Sequence, residues 1–297
     1  MSPKLVRLSW LGVCLLTCAA TQALAADNPS LNIKFTQITV PGAALTVANG
    51  INNAGVIVGS YQDTGGAYHG YILDGSNLTT LDDPNGNTTT ASDLNPNGAI
   101  SVVGQYKNSA GQFVGFLYQD GTYTDISGPP GAVSSSASDI NDDGVIAGSY
   151  TDASNHTLAF VLDHGKYTTL GISMAAITIA SGINDKGHVS LWWVDGLSGI
   201  TYSRIYNYKT GAYQDVNVPN ASDSLATDVN NEGDVSYQWT DSNFLSHAAV
   251  LHRGNYYKFD YPNAAYTFAQ GINDNLQVVG SYQAVANGPL SGFEATH

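Results

Sequence analysis

Cysteine is nearly absent from this chain: of 297 residues only Cys14 and Cys18 are cysteine, and both lie among the first 25. Once that segment is removed, disulfides and thiolate chemistry are excluded whatever the redox poise of the compartment. Charge is scarce too. Asp, Glu, Lys and Arg make up 11% of the residues, where a typical soluble domain has roughly 25%. The basic kind is the rarer, with 10 Lys and Arg against 24 Asp and Glu. Without a basic stripe to offset phosphate charge, nucleic acid is not an expected partner. Beyond residue 25 no stretch approaches the roughly 20 apolar residues of a membrane-spanning helix, so membrane insertion is not expected either. Nor does any segment there carry a helical period free of Gly, Asn and Pro.

The first 25 residues differ from the rest. Lys4 and Arg7 precede an apolar run from Leu8 to Ala20, and Ala23-Leu24-Ala25 offers the small residues of a cleavage site. Residues 1–25 read as a secretory signal peptide, and the protein is expected to be exported, extracellular or periplasmic. A lipoprotein acylated at Cys18 is the rival reading; Thr17 before it is bulkier than the small residue such sites place there. Without Lys4 and Arg7, eight basic residues face 24 acidic ones, a formal charge of −16. An acidic surface rich in Asn and Tyr suits neutral ligands or cations.

Six repeats organise the remainder. An apolar residue followed by Asn recurs as Ile51-Asn52, Leu94-Asn95, Ile140-Asn141, Ile183-Asn184, Val229-Asn230 and Ile272-Asn273, at spacings of 43, 46, 43, 46 and 43 residues. Five positions before each apolar anchor stands Ser or Thr, three before it Ala, and one before it Gly or Asp. These alternate and so share one face of a β-strand. The Asn opens an Asn-x-x-Gly turn, in which Gly supplies the positive φ of a bulged hairpin. The sixth copy has Leu276 in the Gly position, and Asn275 is expected to take the left-handed conformation instead. A second strand follows and ends in an aromatic in every copy; a polar loop, a third strand, a tight turn and a fourth strand complete the unit.

Four strands per roughly 45 residues correspond to one propeller blade. The expected fold is all-β, one domain over residues 31–297: a six-bladed β-propeller with four antiparallel strands per blade. The segment around Phe35-x-x-Ile38 matches the fourth strand elsewhere, and Gly292-Phe293 matches the third. The N-terminal strand should therefore complete the last blade and close the ring. A stacked β-solenoid is the alternative, and it gives no reason for this offset. The strand carrying the small residues is placed nearest the axis, where backbones must approach closely.

At these residues the sequence resembles the extracellular HAF-repeat family, whose repeats pair an IN-x-x-G-x-IVG-x-Y run with a later His-Ala-Phe-like strand. Ile51 to Tyr61 and Ile140 to Tyr150 carry the first element. His69-Gly70-Tyr71, Val114-Gly115-Phe116, Leu158-Ala159-Phe160, His247-Ala248-Ala249 and Ser291-Gly292-Phe293 carry degenerate forms of the second. Copies four and five lose the Gly before the aromatic, with Leu191 and Tyr237 there instead. The resemblance implies an extracellular bacterial repeat protein and brings no catalytic residues with it.

The longer loops mark one face, and a site is expected there or at the mouth of the central channel. Candidate ligand-binding residues are the aromatics of the second strands, Tyr61, Tyr106, Tyr150, Trp193, Trp239 and Tyr282, with Trp192 beside them. An aromatic at a fixed repeat position is more often packing. Trp192 and Trp193 are adjacent, point to opposite sides of a strand and cannot both pack alike. Asp139-Ile140-Asn141-Asp142-Asp143-Gly144 has the oxygen-rich look of a calcium loop but lacks its closing Glu, so turn chemistry is the simpler account. No metal or catalytic residue is assigned, and calcium is the one cofactor kept open. His69, His156 and His247 begin third strands near Asp63, Asp152 and Asp241, without a nucleophile elbow or phosphate loop. The leading expectation is a monomeric, non-catalytic binding or scaffold module for a glycan, a protein or an envelope component. A secreted hydrolase or lyase acting on a polysaccharide is the alternative.

Overall fold

The computed structural model describes residues 32–297; the expected signal peptide, with Cys14 and Cys18, lies outside the described residues. The described chain contains twenty-four strands and no helix. After β1 (Lys34–Ile38), the first repeat folds as β2 (Leu45–Ile51), β3 (Ile57–Gln62), β4 (Tyr68–Asp74) and β5 (Asn77–Leu81). The second is β6 (Gly86–Leu94), β7 (Ser101–Asn108), β8 (Phe113–Gln119) and β9 (Thr122–Ile126). The third is β10 (Ala132–Ile140), β11 (Ile146–Asp152), β12 (Thr157–Asp163) and β13 (Lys166–Leu170). Then come β14 (Ala175–Ile183), β15 (His188–Asp195), β16 (Thr201–Asn207) and β17 (Tyr213–Asp215). The fifth repeat gives β18 (Asp223–Val229), β19 (Val235–Thr240), β20 (Ser246–His252) and β21 (Asn255–Phe259). The last gives only β22 (Tyr266–Ile272), β23 (Val278–Gln283) and β24 (Leu290–Thr296).

Within each repeat consecutive strands pair antiparallel as a meander. The last repeat lacks a fourth strand, and β1 supplies it: Lys34 pairs Thr296 and Ile38 pairs Gly292, antiparallel to β24. The inner strands β2, β6, β10, β14, β18 and β22 each abut the next, and β22 returns to β2. That closed ring is a β-propeller. The expectation of six four-stranded blades is corrected in one respect. Hydrogen bonding gives four separate four-stranded sheets and one of eight strands. The eight-stranded sheet arises from a single parallel pair, Ile177 of β14 with Thr157 of β12.

The core lies in the seams between neighbouring repeats rather than in one block. One seam joins Val145, Ala147 and Val161 to Ala180, Ile183 and Leu191; another joins Val58 and Leu81 to Ala91, Leu94 and Val102. The repeated Ala is fully buried in all six copies, at Ala48, Ala91, Ala137, Ala180, Ala226 and Ala269. In five of the six copies the Ser or Thr two residues earlier fastens the incoming linker, its hydroxyl accepting the N–H of the residue six positions back; in the third that residue is Pro129, and Ser135 donates to the Ile126 carbonyl instead. Thr46 does so from Val40 at 3.1 Å, Thr89 from Asp83 at 2.9 Å and Ser224 from Val218 at 2.9 Å.

The departures in the repeats have local reasons. Gly59, Gly104, Gly148 and Gly280 of the second strands lie opposite Tyr71, Phe116, Phe160 and Phe293 of the third. A Cβ on any of them would sit within 2.9 Å of that ring and within 2.2 Å of a backbone oxygen. In the fifth repeat the sizes are exchanged, with Tyr237 opposite Ala249. The sixth turn differs from expectation: Leu276 itself, not Asn275, takes the positive φ, 58°.

Candidate functional site

Alternation along the inner strands decides what faces the axis. In β2, Thr46, Ala48 and Gly50 are buried while Val47 and Asn49 are half-buried, and β6, β10, β14, β18 and β22 repeat the pattern. The residue two before each apolar anchor therefore looks into the channel. These six are Asn49, Ser92, Ser138, Ser181, Thr227 and Gln270, all uncharged and all able to hydrogen bond.

Together with Ser60, Gln105, Trp192 and Gln238 of the second strands, they line a cavity of about 480 Å³ at the channel mouth. Ile179 and Leu225 form its apolar side with the indole, and Asp93 is its one carboxylate. Some lining groups are committed to neighbouring strands: Asn49 donates to the Ala91 carbonyl at 2.8 Å, and Ser181 to that of Ala226 at 2.6 Å. Among the described residues, the side chains of Ser92, Ser138, Gln105, Gln238 and Gln270 have no protein hydrogen-bond partner, and neither has the indole N–H of Trp192. The mouth thus combines free amides and hydroxyls with one aromatic plane.

Beneath it the residue just before the apolar anchor runs Gly50, Asp93, Asp139, Gly182, Asp228, Gly271 around the ring, so Asp139 and Asp228 are each followed by a glycine and Asp93 by Asp139. A β-bulge at this point in every inner strand offsets the register. Each aspartate accepts the N–H of its own successor, Leu94, Ile140 or Val229. Asp139 and Asp228 also reach the next repeat, where Gly stands, and accept from Ile183 at 2.5 Å and Ile272 at 2.9 Å. Asp93 cannot follow suit, because the next repeat carries Asp139, which takes the Ile140 N–H for itself. The three carboxylates place oxygens within 4.8 Å of one another around a space of about 20 Å³. Burial, and then the neighbouring carboxylates, push Asp93 and Asp139 well above the ordinary range. Burial pushes Asp228 up to about 7. No other group of three or more acids, His or Cys lies this close among the described residues.

On the opposite face the repeated Asn does more than open a turn. The side-chain amide of Asn141 donates to the carbonyl of Asn184, that of Asn184 to Asn230, that of Asn230 to Asn273 and that of Asn273 to Asn52. The series ends at Asn52 and does not include Asn95, whose amide turns back to Asn97 within its own longer loop.

The aromatic candidates do not gather in one place. Trp192 alone of them lines the mouth. Trp239 is packed against its neighbours, with His247 stacked at 4.6 Å and the Lys258 ammonium 3.8 Å from its ring. Tyr282 stacks on Tyr261 at 3.6 Å. Tyr61 lies on His69 at 5.0 Å. Tyr106 is buried with its hydroxyl donated to Asp125, and Tyr150 packs near Phe160. Trp193 lies beside Tyr202 and the Arg204 guanidinium, which Asp215 holds at 2.6 Å. The histidines pair within their own repeats: His69 between Asp82 and Asp63, His247 between Asp260 and Asp241, and His156 with Asp152. Asp142, in the calcium-like run, accepts from the backbone and side chain of Asn97.

No family model matches this chain, and no curated protein matches it either. Solved structures do. A candidate gluconolactonase is similar over 89% of this chain and 92% of its own, at 11% identity and a TM-score of 0.56. TolB from Acinetobacter baumannii is similar over 86% of this chain, at 12% identity and a TM-score of 0.54; the match spans 65% of the TolB chain. The SapL1 lectin in complex with alpha methyl fucoside is similar over 85% of this chain and 93% of its own, at 9% identity and a TM-score of 0.54. At such identities the likeness is one of fold alone.

Proposed function

We propose that this is an exported, non-catalytic propeller of six HAF-like units, counting the eight-stranded sheet as two, whose channel mouth binds a neutral glycan. The observation that carries the reading is the lining of the 480 Å³ cavity: unpartnered Gln and Ser side chains around the single indole of Trp192. A sugar offers an apolar ring face to stack on an aromatic and a rim of hydroxyls that both donate and accept. Uncharged amides and hydroxyls match that rim without the desolvation cost of a charge. The volume falls in the usual range of small-molecule sites, roughly 300–1,000 Å³. One structural neighbour is a lectin seen with a fucoside, in keeping with this use of the fold.

The alternative of a polysaccharide hydrolase draws less support from the mouth. Two-carboxylate hydrolysis needs an acid and a second carboxylate flanking one bond, and the cavity offers Asp93 alone. Calorimetric titration with a panel of neutral and acidic oligosaccharides tests the reading. Saturable binding of a neutral sugar that Trp192→Ala weakens at least about tenfold supports it, an indole in a ligand pocket being worth roughly 2 kcal/mol or more. Binding by acidic sugars only, or binding indifferent to Trp192, contradicts it.

A further inference from the structure

We propose that Asp93, Asp139 and Asp228 form a binding site for one hard divalent cation, of the calcium or magnesium class, on the propeller axis beneath the ligand mouth. The site does not depend on the glycan reading. Three repeats contribute one carboxylate each, and their oxygens lie within 4.8 Å of one another. Two oxygens bound to one Ca²⁺ at about 2.3–2.6 Å can be no further apart than roughly 5 Å.

Proximity alone is common among acidic residues; the hydrogen bonding of Asp93 is not. Asp139 and Asp228 each have both oxygens occupied by backbone N–H donors. Asp93 is only 7% exposed, its first oxygen accepts from Leu94, and its second oxygen accepts no hydrogen bond. That oxygen belongs to a residue lining the small axial space. That oxygen is not wholly enclosed by protein, and with two further carboxylates beside it the free site favours a ligand that brings positive charge.

The space of about 20 Å³ holds one water-sized or ion-sized body. A cation there would complete the Asp93 carboxylate and neutralise the mutual repulsion of all three. Oxygen-only donors and a formal charge of −3 favour a hard divalent ion over a soft transition metal. Glycine at the same position of the other three repeats is part of the same arrangement. A Cβ on Gly50 would lie 2.0 Å from Asp93 Oδ1, and one on Gly182 2.5 Å from Asp228 Oδ1, so these glycines make room for the carboxylates of the repeats that follow them.

The test uses the whole exported chain, stripped with EDTA and titrated separately with CaCl₂ and MgCl₂ by calorimetry and thermal denaturation. The expected result is one ion per chain and a saturable rise in Tm of several degrees. Asp93→Asn retains an acceptor for the Leu94 N–H and removes one charge; it should fold, by circular dichroism, and lose most of the ion-dependent rise. Asp228→Asn should behave likewise, so the outcome does not hang on one variant. No heat and no change in Tm with either ion overturns the proposal and leaves shared protons as the balancing charge. Undiminished binding in folded Asp93→Asn overturns it as well.

Discussion

The side-chain amide of Asn273 donates to the backbone carbonyl of Asn52 at 2.9 Å, joining residues 221 apart in sequence. The same side chain accepts the N–H groups of Asn275 and Gln277 in its own turn. One residue thus shapes a hairpin and latches the last repeat to the first, beside the β1–β24 pairing that closes the ring through the sheet. Asn273→Ala should cost about 1–3 kcal/mol, since it strands buried backbone groups on two repeats. Chemical denaturation followed by circular dichroism reads the loss. A change no larger than that of an exposed Asn→Ala control would show that the latch contributes nothing.

A second prediction concerns the glycines of the second strands. Gly148→Ala would place a methyl group 2.2 Å from the carbonyl oxygen of Ser136 and 2.7 Å from the Phe160 ring. Overpacking of this kind costs about 1–3 kcal/mol, and here backbone must move. Ala at Gly144, which has φ +75° but nothing within 4 Å of its Cβ, should cost about 1 kcal/mol through conformation alone. The ordering of the two midpoints is the check.

Trp239 and Trp192 should separate packing from binding. Trp239 packs against His247 and Lys258 and donates its indole N–H to the Ala248 carbonyl at 3.2 Å. Trp239→Ala should lower stability by about 1–3 kcal/mol and leave sugar affinity unchanged. Sugar affinity lost in Trp239→Ala while its Tm holds would move the site away from the mouth.

The axial carboxylates set a pH dependence whose sign is fixed. Their folded-state pKa values are raised, so protons bind more tightly in the folded than in the unfolded chain. The stability this gives falls as pH rises through the folded values, about 7 for Asp228. In EDTA, Tm should decline from about pH 5 to about pH 8. Saturating CaCl₂ should flatten that decline by replacing the protons. The half-buried Asp63, Asp152 and Asp241 are lowered, chiefly by backbone hydrogen bonds; their effect has the opposite sign and lies below the ordinary carboxylate range. A Tm–pH curve identical with and without CaCl₂ contradicts the axial site.

The repeat was legible because each unit obeys the same constraints. Ala at the seam, Ser or Thr holding the linker and Asn at the turn recur, for the ring leaves those positions one environment. The offset of Phe35 and Phe293 likewise foretold the pairing of β1 with β24. The mouth was only half legible. Adjacent Trp192 and Trp193 had to point apart, yet which of them faces the axis follows from the blade's orientation, which periodicity does not contain. The axial aspartates were visible as Asp93, Asp139 and Asp228 sharing a repeat position with three glycines. Read as small residues, they hid a cluster that forms only when distant repeats converge. The exchange of Tyr237 with Ala249 was invisible for the same reason: each residue looks like a lapse until its cross-strand partner is known.

The central claim is that the channel mouth is a glycan site built around Trp192. Calorimetric titration of a neutral oligosaccharide into the wild-type protein, Trp192→Ala and Trp193→Ala tests it most directly. The structure predicts saturable binding to wild type and Trp193→Ala, and at least about a tenfold loss for Trp192→Ala. Equal affinity in all three proteins, or no neutral sugar bound by any, would contradict it.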